Sequence, residues 1–140
     1  MAAAWAIVER DGAVLFVQRS ARTSRPGQWC LPGGRIHGGE DSGDAALREL
    51  REETGLVGTL GNLAHDTPKQ FYYQCHVDGD QQVSLKANEC QDHRWVAPAD
   101  LLSLGHIMEL RRVVLALRVL GFEIHLPPGL EHYVQRGGRR

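Results

Sequence analysis

Cysteine is scarce: the 140-residue chain has three, Cys30, Cys75 and Cys90, widely spaced and with no CxxC pair. That set offers neither a disulfide framework nor a thiol-rich metal site, and it suits a reducing compartment where thiols act as small buried residues. Basic charge is not in excess. Sixteen Lys and Arg stand against 17 Asp and Glu, for a formal net charge of −1, so no broad basic surface advertises long nucleic acid as a partner. Long hydrophobic runs are missing as well. The apolar stretch Ala2–Val8 has no basic lead-in and stops at Glu9-Arg10-Asp11, which fits neither a signal peptide nor a membrane span. A cytoplasmic location with no membrane partner is expected. Internal repeats and low-complexity tracts are absent, and the seven histidines show no HExxH or paired-ligand spacing. A chain of this length suits one domain with a moderate core.

Apolar and β-branched runs at 4–9 and 13–18, separated by Asp11-Gly12, predict a β-hairpin. A polar loop rich in Arg, Ser and Thr runs from Arg19 to Gln28. Further strands are predicted over 57–64, 69–78 and His93–Val96, with a short helical turn at 98–102. Ile107, Leu110, Val113, Val114, Leu117 and Leu120 recur at helical spacing, with Arg111, Arg112 and Arg118 opposite. That pattern predicts an amphipathic helix on a sheet. The expected fold is α/β (α+β), a mixed β-sheet sandwiched between helices over residues 1–126. Residues 127–140, which end in a Gly- and Arg-rich stretch from Arg136 to Arg140, are expected to be a flexible tail.

The most specific stretch is GRIHGGEDSGDAALRELREETGL, Gly34 to Leu56. Asp41 or Ser42 is a good N-cap, no proline interrupts the run to Thr54, and Gly55 supplies a left-handed stop. At about 100° per residue, Ala46, Leu47, Leu50 and Thr54 share the face expected to meet the core. Glu49, Glu52 and Glu53 fall together on the adjacent arc. Like charges at that spacing repel, and the C-terminal end of the helix dipole adds to the cost. Something cationic is needed to offset both. Hard oxygen donors of this kind favour Mg²⁺ or Mn²⁺ over Zn²⁺.

Trp29-Cys30-Leu31-Pro32-Gly33-Gly34 precedes this helix, followed by Gly38-Gly39-Glu40. The loop is neither a Walker A loop nor a Gly-x-Gly-x-x-Gly fingerprint. Its glycines allow backbone to approach a ligand closely, and Glu40 lies where the helix dipole favours a carboxylate. Loop, acid and carboxylate-rich turn together resemble the Nudix box, Gly-x5-Glu-x7-Arg-Glu-U-x-Glu-Glu-x-Gly-U with U aliphatic, and every specified position is met. The Trp-x-Leu-Pro-Gly-Gly lead-in is similar to that of MutT-like members.

The resemblance implies a hydrolase of nucleoside diphosphates linked to another moiety, dependent on Mg²⁺ or Mn²⁺. Glu49, Glu52 and Glu53 would be metal ligands, with the Gly33 carbonyl and Glu89, from a loop beyond the box, as further ones; Asp92 is the alternative to Glu89. Arg48 would orient the glutamates and Glu40 would be structural. Glu52, Glu53 or Glu89 would be the general base for in-line attack of an activated water on phosphorus. Arg19 and Arg25 in the polar loop suit phosphate contacts, and Tyr72 or Tyr73 suits stacking on a base. The expected substrate is a nucleoside triphosphate, normal or modified, cut to monophosphate and pyrophosphate. Dinucleoside polyphosphates or ADP-ribose are the alternative, and a nucleotide-sensing or protein-binding module with little turnover is the other class. Monomer and homodimer are both compatible with this reading.

Overall fold

The structure, a computed structural model, describes residues 1–137. Its eight strands are β1 (Ala3–Ile7), β2 (Glu9–Arg10), β3 (Ala13–Arg19), β4 (Trp29–Cys30), β5 (Gly33–Arg35), β6 (Gly58–Asp66), β7 (Gln70–Val77) and β8 (Cys90–Val96). Helix α1 (Ser42–Thr54) follows β5, and a 3-10 segment (Pro98–Leu104), α2 (Leu110–Val119) and α3 (Pro128–Arg136) follow β8. The mixed sheet expected from sequence is present as β5-β1-β7-β6, in which β1 and β7 are parallel and the other pairs antiparallel. A second, antiparallel sheet holds β2, β3 and β4, with β8 on β3. The chain passes from one sheet to the other at buried Val8, and Asp11-Gly12 closes the β2–β3 turn with φ of 52° and 80°. Two positive φ angles are what a type I′ hairpin turn requires.

Strand alternation sorts the core. Trp5, Ile7 and Tyr72 join one buried cluster with Phe16, Val113, Val114 and Leu117, on the α2 side. Ala4, Ala6 and Val8 join the other with Ala45, Ala46, Leu50 and Leu56, on the α1 side. Successive residues of β1 thus feed opposite faces, as period two demands. The same rule parts the adjacent tyrosines. Tyr73 packs toward α1, its hydroxyl 2.7 Å from Ser42 Oγ, while Tyr72 is buried on the α2 side.

Helix α1 has the bounds read from sequence: Asp41 caps Gly43 N–H at 3.2 Å, and Gly55 closes it at φ 75°. Other bounds shift. β8 begins at Cys90 rather than His93, its first residues reaching β3 across a register shift between Gln18 and Arg19. Ile107 is not helical; it bridges Trp29, and α2 starts only after Glu109. The largest correction concerns the segment read as a tail. Pro128–Arg136 forms α3, docked by fully buried Val134 and by Arg118, which donates to both oxygens of Glu131 at 2.7 and 2.8 Å. Arg111 Nε donates to the Val134 carbonyl at 3.0 Å. A segment rich in Gly and Arg hides one buried valine, so its composition concealed the docking. Residues 138–140, part of that tail reading, lie outside the described residues.

Two predictions follow from this packing. Leu50→Ala, at a fully buried position between α1 and the mixed sheet, lowers unfolding free energy by about 2–5 kcal/mol in urea titrations. The Arg118 guanidinium beside Glu131, helped by Gln135, holds its carboxyl at about 2, below the ordinary 4.5. A depressed folded-state value stabilises fully above 4.5, and the contribution is lost as pH falls toward 2. Protection factors of α3 amides, taken relative to intrinsic exchange at each pH, therefore fall through that window, and Glu131→Gln removes that fall.

Candidate active site

The last turn of α1 and the glycines of β5 form one wall of the site. Side-chain oxygens of Glu49, Glu53 and Glu89 lie within 4.8 Å of one another. Glu53 is 8% exposed and accepts the Gly33 N–H at 3.2 Å. Burial first, then the charges of Glu49 and Glu89, pushes its carboxyl well above the ordinary carboxylate range. Glu49 moves up as well, mainly by burial and against the opposing pull of Arg48. Two acids driven toward protonation by their surroundings mark a place where a cation would restore their charge.

Glu89 arrives by a backbone relay. Lys86 N–H donates to Glu53 O at 3.0 Å, Glu89 N–H to Lys86 O at 2.9 Å, and Ser20 N–H to Glu89 O at 2.9 Å. The loop before β8 is thereby tied to the end of α1 on one side and to β3 on the other. Glu89 Oε2 is buried without a hydrogen-bond partner, an unusual state that a bound cation would relieve. Three oxygen donors, one of them unpartnered, fit Mg²⁺ or Mn²⁺. Asp92, the alternative, is exposed on β8 and caps its neighbour's N–H; it is not part of the group.

Arg48 organises the turn. Its Nε and one terminal nitrogen grip Glu40 at 2.7 and 3.0 Å, and that nitrogen also donates to Arg35 O at 2.9 Å. Its other nitrogen reaches Glu49 and both oxygens of Glu52 at 3.3 Å. The pairing with Arg48, aided by the His37 N–H, holds Glu40 at about 2. Glu40 is therefore the anchor of the loop, as its position before the helix suggested. Glu52 is not brought into the three-carboxylate group. Its side chain is 44% exposed, because three residues after Glu49 it has rotated toward solvent and toward Arg48.

A cavity of about 200 Å³ encloses the acids and is also lined by Gly33, Gly34, Arg19, Cys30 and Cys90. Burial pushes the Cys30 thiol up to about 12 and Cys90 higher, so both stay protonated and inert. Arg19 and Gly34 also line an adjoining cleft of about 420 Å³, together with Trp5, Arg25, Gln70, Met108 and Glu109. Arg19 thus sits where cavity and cleft meet, its Nε donating to Ser24 O at 2.6 Å. Arg25 stands exposed at the rim, 3.4 Å from Glu109.

Tyr72 does not offer its ring to a substrate. It is 1% exposed, stacked with Trp5 at a centroid distance of 6.4 Å and flanked by His65. A strand aromatic at that register faces the core, which corrects its reading as a base-stacking residue. Gln70, Met108 and Glu109 went unnoticed in sequence because they come from separate elements and share no motif.

A carboxylate-rich helical turn facing a glycine strand, on mixed and antiparallel sheets flanked by helices, defines a hydrolase of the Nudix class. The chain belongs to that family: the NUDIX domain model matches residues 1–117. The CTP pyrophosphohydrolase of Escherichia coli (strain K12) is 34% identical over 122 residues, covering 76% of this chain and 90% of that protein. Nucleoside triphosphatase NudI of Escherichia fergusonii is 31% identical over 115 residues, covering 68% and 80%. Among solved structures, a C. elegans Ap4A hydrolase in a binary complex superposes with a TM-score of 0.64 at 25% identity, covering 83% of this chain and 93% of that one. Among the described residues, no helix is long and apolar enough to cross a membrane.

The two glycines separate fold from site. A Cβ on Gly33 would overlap the Ala4 carbonyl oxygen and lie 2.8 Å from Trp5 Cα, whereas one on Gly34 would lie 2.7 Å from Glu49 Oε2. Gly33→Ala accordingly lowers the melting temperature by several degrees. Gly34→Ala displaces the Glu49 carboxylate, lowering turnover at least tenfold with the smaller thermal shift; paired melting curves and rates check both.

Proposed function

We infer that this protein is a Mg²⁺- or Mn²⁺-dependent pyrophosphohydrolase that converts a nucleoside triphosphate to its monophosphate and pyrophosphate. The observation that carries this reading is the convergence of Glu49, Glu53 and Glu89 to within 4.8 Å beside a cleft large enough for a nucleotide. The curated relatives' names, a CTP pyrophosphohydrolase and a nucleoside triphosphatase, support the substrate class.

Glu49, Glu53 and Glu89 hold the cation with the Gly33 carbonyl. Glu52, whose contacts to Arg48 are long at 3.3 Å and whose side chain is exposed, joins them by rotating inward. When bound, a divalent cation neutralises phosphate oxygens and makes water a better nucleophile. Arg19 at the junction and Arg25 at the rim meet the phosphate chain, where a guanidinium matches paired oxygens. Gly33 N–H keeps Glu53 aimed into the cavity. Glu89 would also serve as the acceptor for the proton of the attacking water, a role typically worth 10²–10⁴-fold. A second reading, cleavage of dinucleoside polyphosphates, is favoured by the likeness to the Ap4A hydrolase.

The test is a hydrolysis screen with Mg²⁺ and Mn²⁺ over nucleoside triphosphates (oxidised ones included), ADP-ribose, sugar nucleotides and dinucleoside polyphosphates. Triphosphates give monophosphate and pyrophosphate, and Glu53→Gln or Glu89→Gln cuts turnover at least about 100-fold. Tight nucleotide binding with no metal-dependent cleavage of any of these would instead identify a binding module. Independently of turnover, adding Mn²⁺ raises the melting temperature of the wild type. At 100-fold excess over its Kd the gain is about 2.7 kcal/mol, and Glu53→Gln abolishes most of it.

A further inference from the structure

One buried hydroxyl joins the two loops that flank the hydrolytic cavity. Ser20 follows the last residue of β3 and is 4% exposed. A hydroxyl taken out of water costs stability unless its hydrogen bonds are replaced, and here both of its roles are filled. Ser20 Oγ donates to the Asn88 carbonyl at 2.8 Å and accepts the Arg22 N–H at 3.2 Å. The main chain repeats the division. Ser20 N–H donates to Glu89 O at 2.9 Å, while Ser20 O accepts the Thr23 N–H at 3.2 Å and the Thr23 hydroxyl at 2.8 Å. Side chain and backbone alike therefore hold one loop on each side.

On one side is the loop that ends in Glu89. The ladder between β3 and β8 breaks just there: Gln18 faces Asp92 and Arg19 faces Cys90, which leaves Gln91 as an extra residue. A bulge of this kind bends its strand and re-aims neighbouring side chains. Regular pairing stops at Arg19, so on the β3 side Asn88 and Glu89 rest on Ser20. On the other side is the polar loop, in which Thr23 lines the cavity and Ser24 the cleft. Ser24 grips Arg19 twice, its carbonyl accepting Nε at 2.6 Å and its hydroxyl a terminal nitrogen at 3.1 Å. The turn that Arg22 and Thr23 make on Ser20 thus sets where the Arg19 guanidinium is held.

We propose that Ser20 is a positioning residue of the hydrolytic site. Its hydroxyl ties the Glu89 loop and the Arg19 loop to one point, so that a cation and a phosphate chain meet groups held in a single register. Ser20 touches neither; it acts through Glu89 and Arg19. Without Oγ, the Asn88 carbonyl and the Arg22 N–H lose their shared partner at once, and the two loops move independently. The inference rests on the metal-dependent hydrolase reading and adds to it a residue outside the Gly34–Leu56 stretch.

The experiment takes Mn²⁺ affinity from the rise in melting temperature with Mn²⁺ alone, in wild type, Ser20→Ala, Glu89→Gln and the double variant. Groups that support a metal ligand typically contribute about 10–100-fold in affinity, so Ser20→Ala weakens Mn²⁺ binding at least about tenfold. In the Glu89→Gln background the same change adds less than about twofold, the non-additivity expected of a residue that works through Glu89 and not of a general loosening of the fold. Ser20→Cys, close in size but a weak hydrogen-bonding group, moves affinity in the same direction and serves if the alanine variant does not fold. At saturating Mn²⁺, Ser20→Ala still raises KM for the triphosphate several-fold, because the Arg19 loop is loosened too. Mn²⁺ affinity unchanged in both Ser20 variants, an equal loss in the Glu89→Gln background, or a KM restored by saturating Mn²⁺ overturns the proposal. A wild type that binds Mn²⁺ but cleaves no triphosphate overturns the functional reading instead, and the Mn²⁺ cycle still decides the role of Ser20.

Discussion

Three carboxylates held within 4.8 Å of one another are a standing electrostatic cost. Two unit charges at that separation repel by about 3 kcal/mol even at an effective dielectric near 20. The surrounding structure is organised to hold them there. Glu53 cannot turn away because the Gly33 N–H fixes one oxygen. Glu89 cannot retreat because its carbonyl is bound by Ser20 N–H and its own N–H donates to Lys86, which is itself tied to Glu53. Glu49 is faced by a glycine whose missing Cβ leaves room for its carboxylate. Lys86 Nζ stands 3.7 Å from a Glu89 oxygen, and Arg48 is largely committed to Glu40 and to the Arg35 carbonyl. Its remaining contacts, at 3.3 Å, only partly neutralise the cluster. The deficit that remains is of the kind a divalent cation would answer.

That constraint explains why the sheets are joined as they are. The three carboxylates and the glycines beside them draw on α1, on β5 and on the loop before β8, which belongs to the other sheet. No single local segment could bring a residue near position 89 to the end of α1. The connection needs β3, whose Ser20 end anchors the loop while Arg19 reaches the junction of cavity and cleft. Fold and site are therefore one problem in this protein. The site's pieces sit at strand and helix ends, and the sheets fix the distances between those ends.

The same division explains what could be read from sequence. Within Gly34–Leu56 the contacts are local, so capping, glycine stop and the i, i+3, i+4 neighbours followed from spacing. Arg48 with Glu40, eight residues apart, belongs to the same stretch. Glu89 was reached only through resemblance, because nothing local distinguishes it from any loop acid. Glu52 looked equivalent to Glu49 and Glu53 on a helical projection. Separating them required knowing which edge of the helix β5 covers. Tyr72 and Tyr73 were indistinguishable for a related reason: alternation guarantees that they face opposite ways, but only the pairing with Trp5 and Ala6 says which way each points. The docked α3 shows the opposite failure, where composition suggested solvent and a buried valine with one bidentate ion pair decided otherwise.

Selectivity must therefore be written in residues the box does not contain. On the proposed reading the box acids serve the phosphate chain, a part common to every nucleotide, and carry no information about the base. The cleft wall opposite them is built from Trp5 and Gln70 on the mixed sheet and from Met108 and Glu109, which β4 holds in place from the second sheet. Those positions lie on separate elements and are free to vary without disturbing the Arg48–Glu40 anchor or the Gly33 contact. A hydrolytic centre locked by short-range geometry, joined to a cleft assembled from long-range neighbours, lets one scaffold keep its chemistry while its substrate changes. In this chain the long-range part ends in a carboxylate on strained backbone beside an unsatisfied hydroxyl. Neither feature is needed for cutting a phosphoanhydride, and both cost stability.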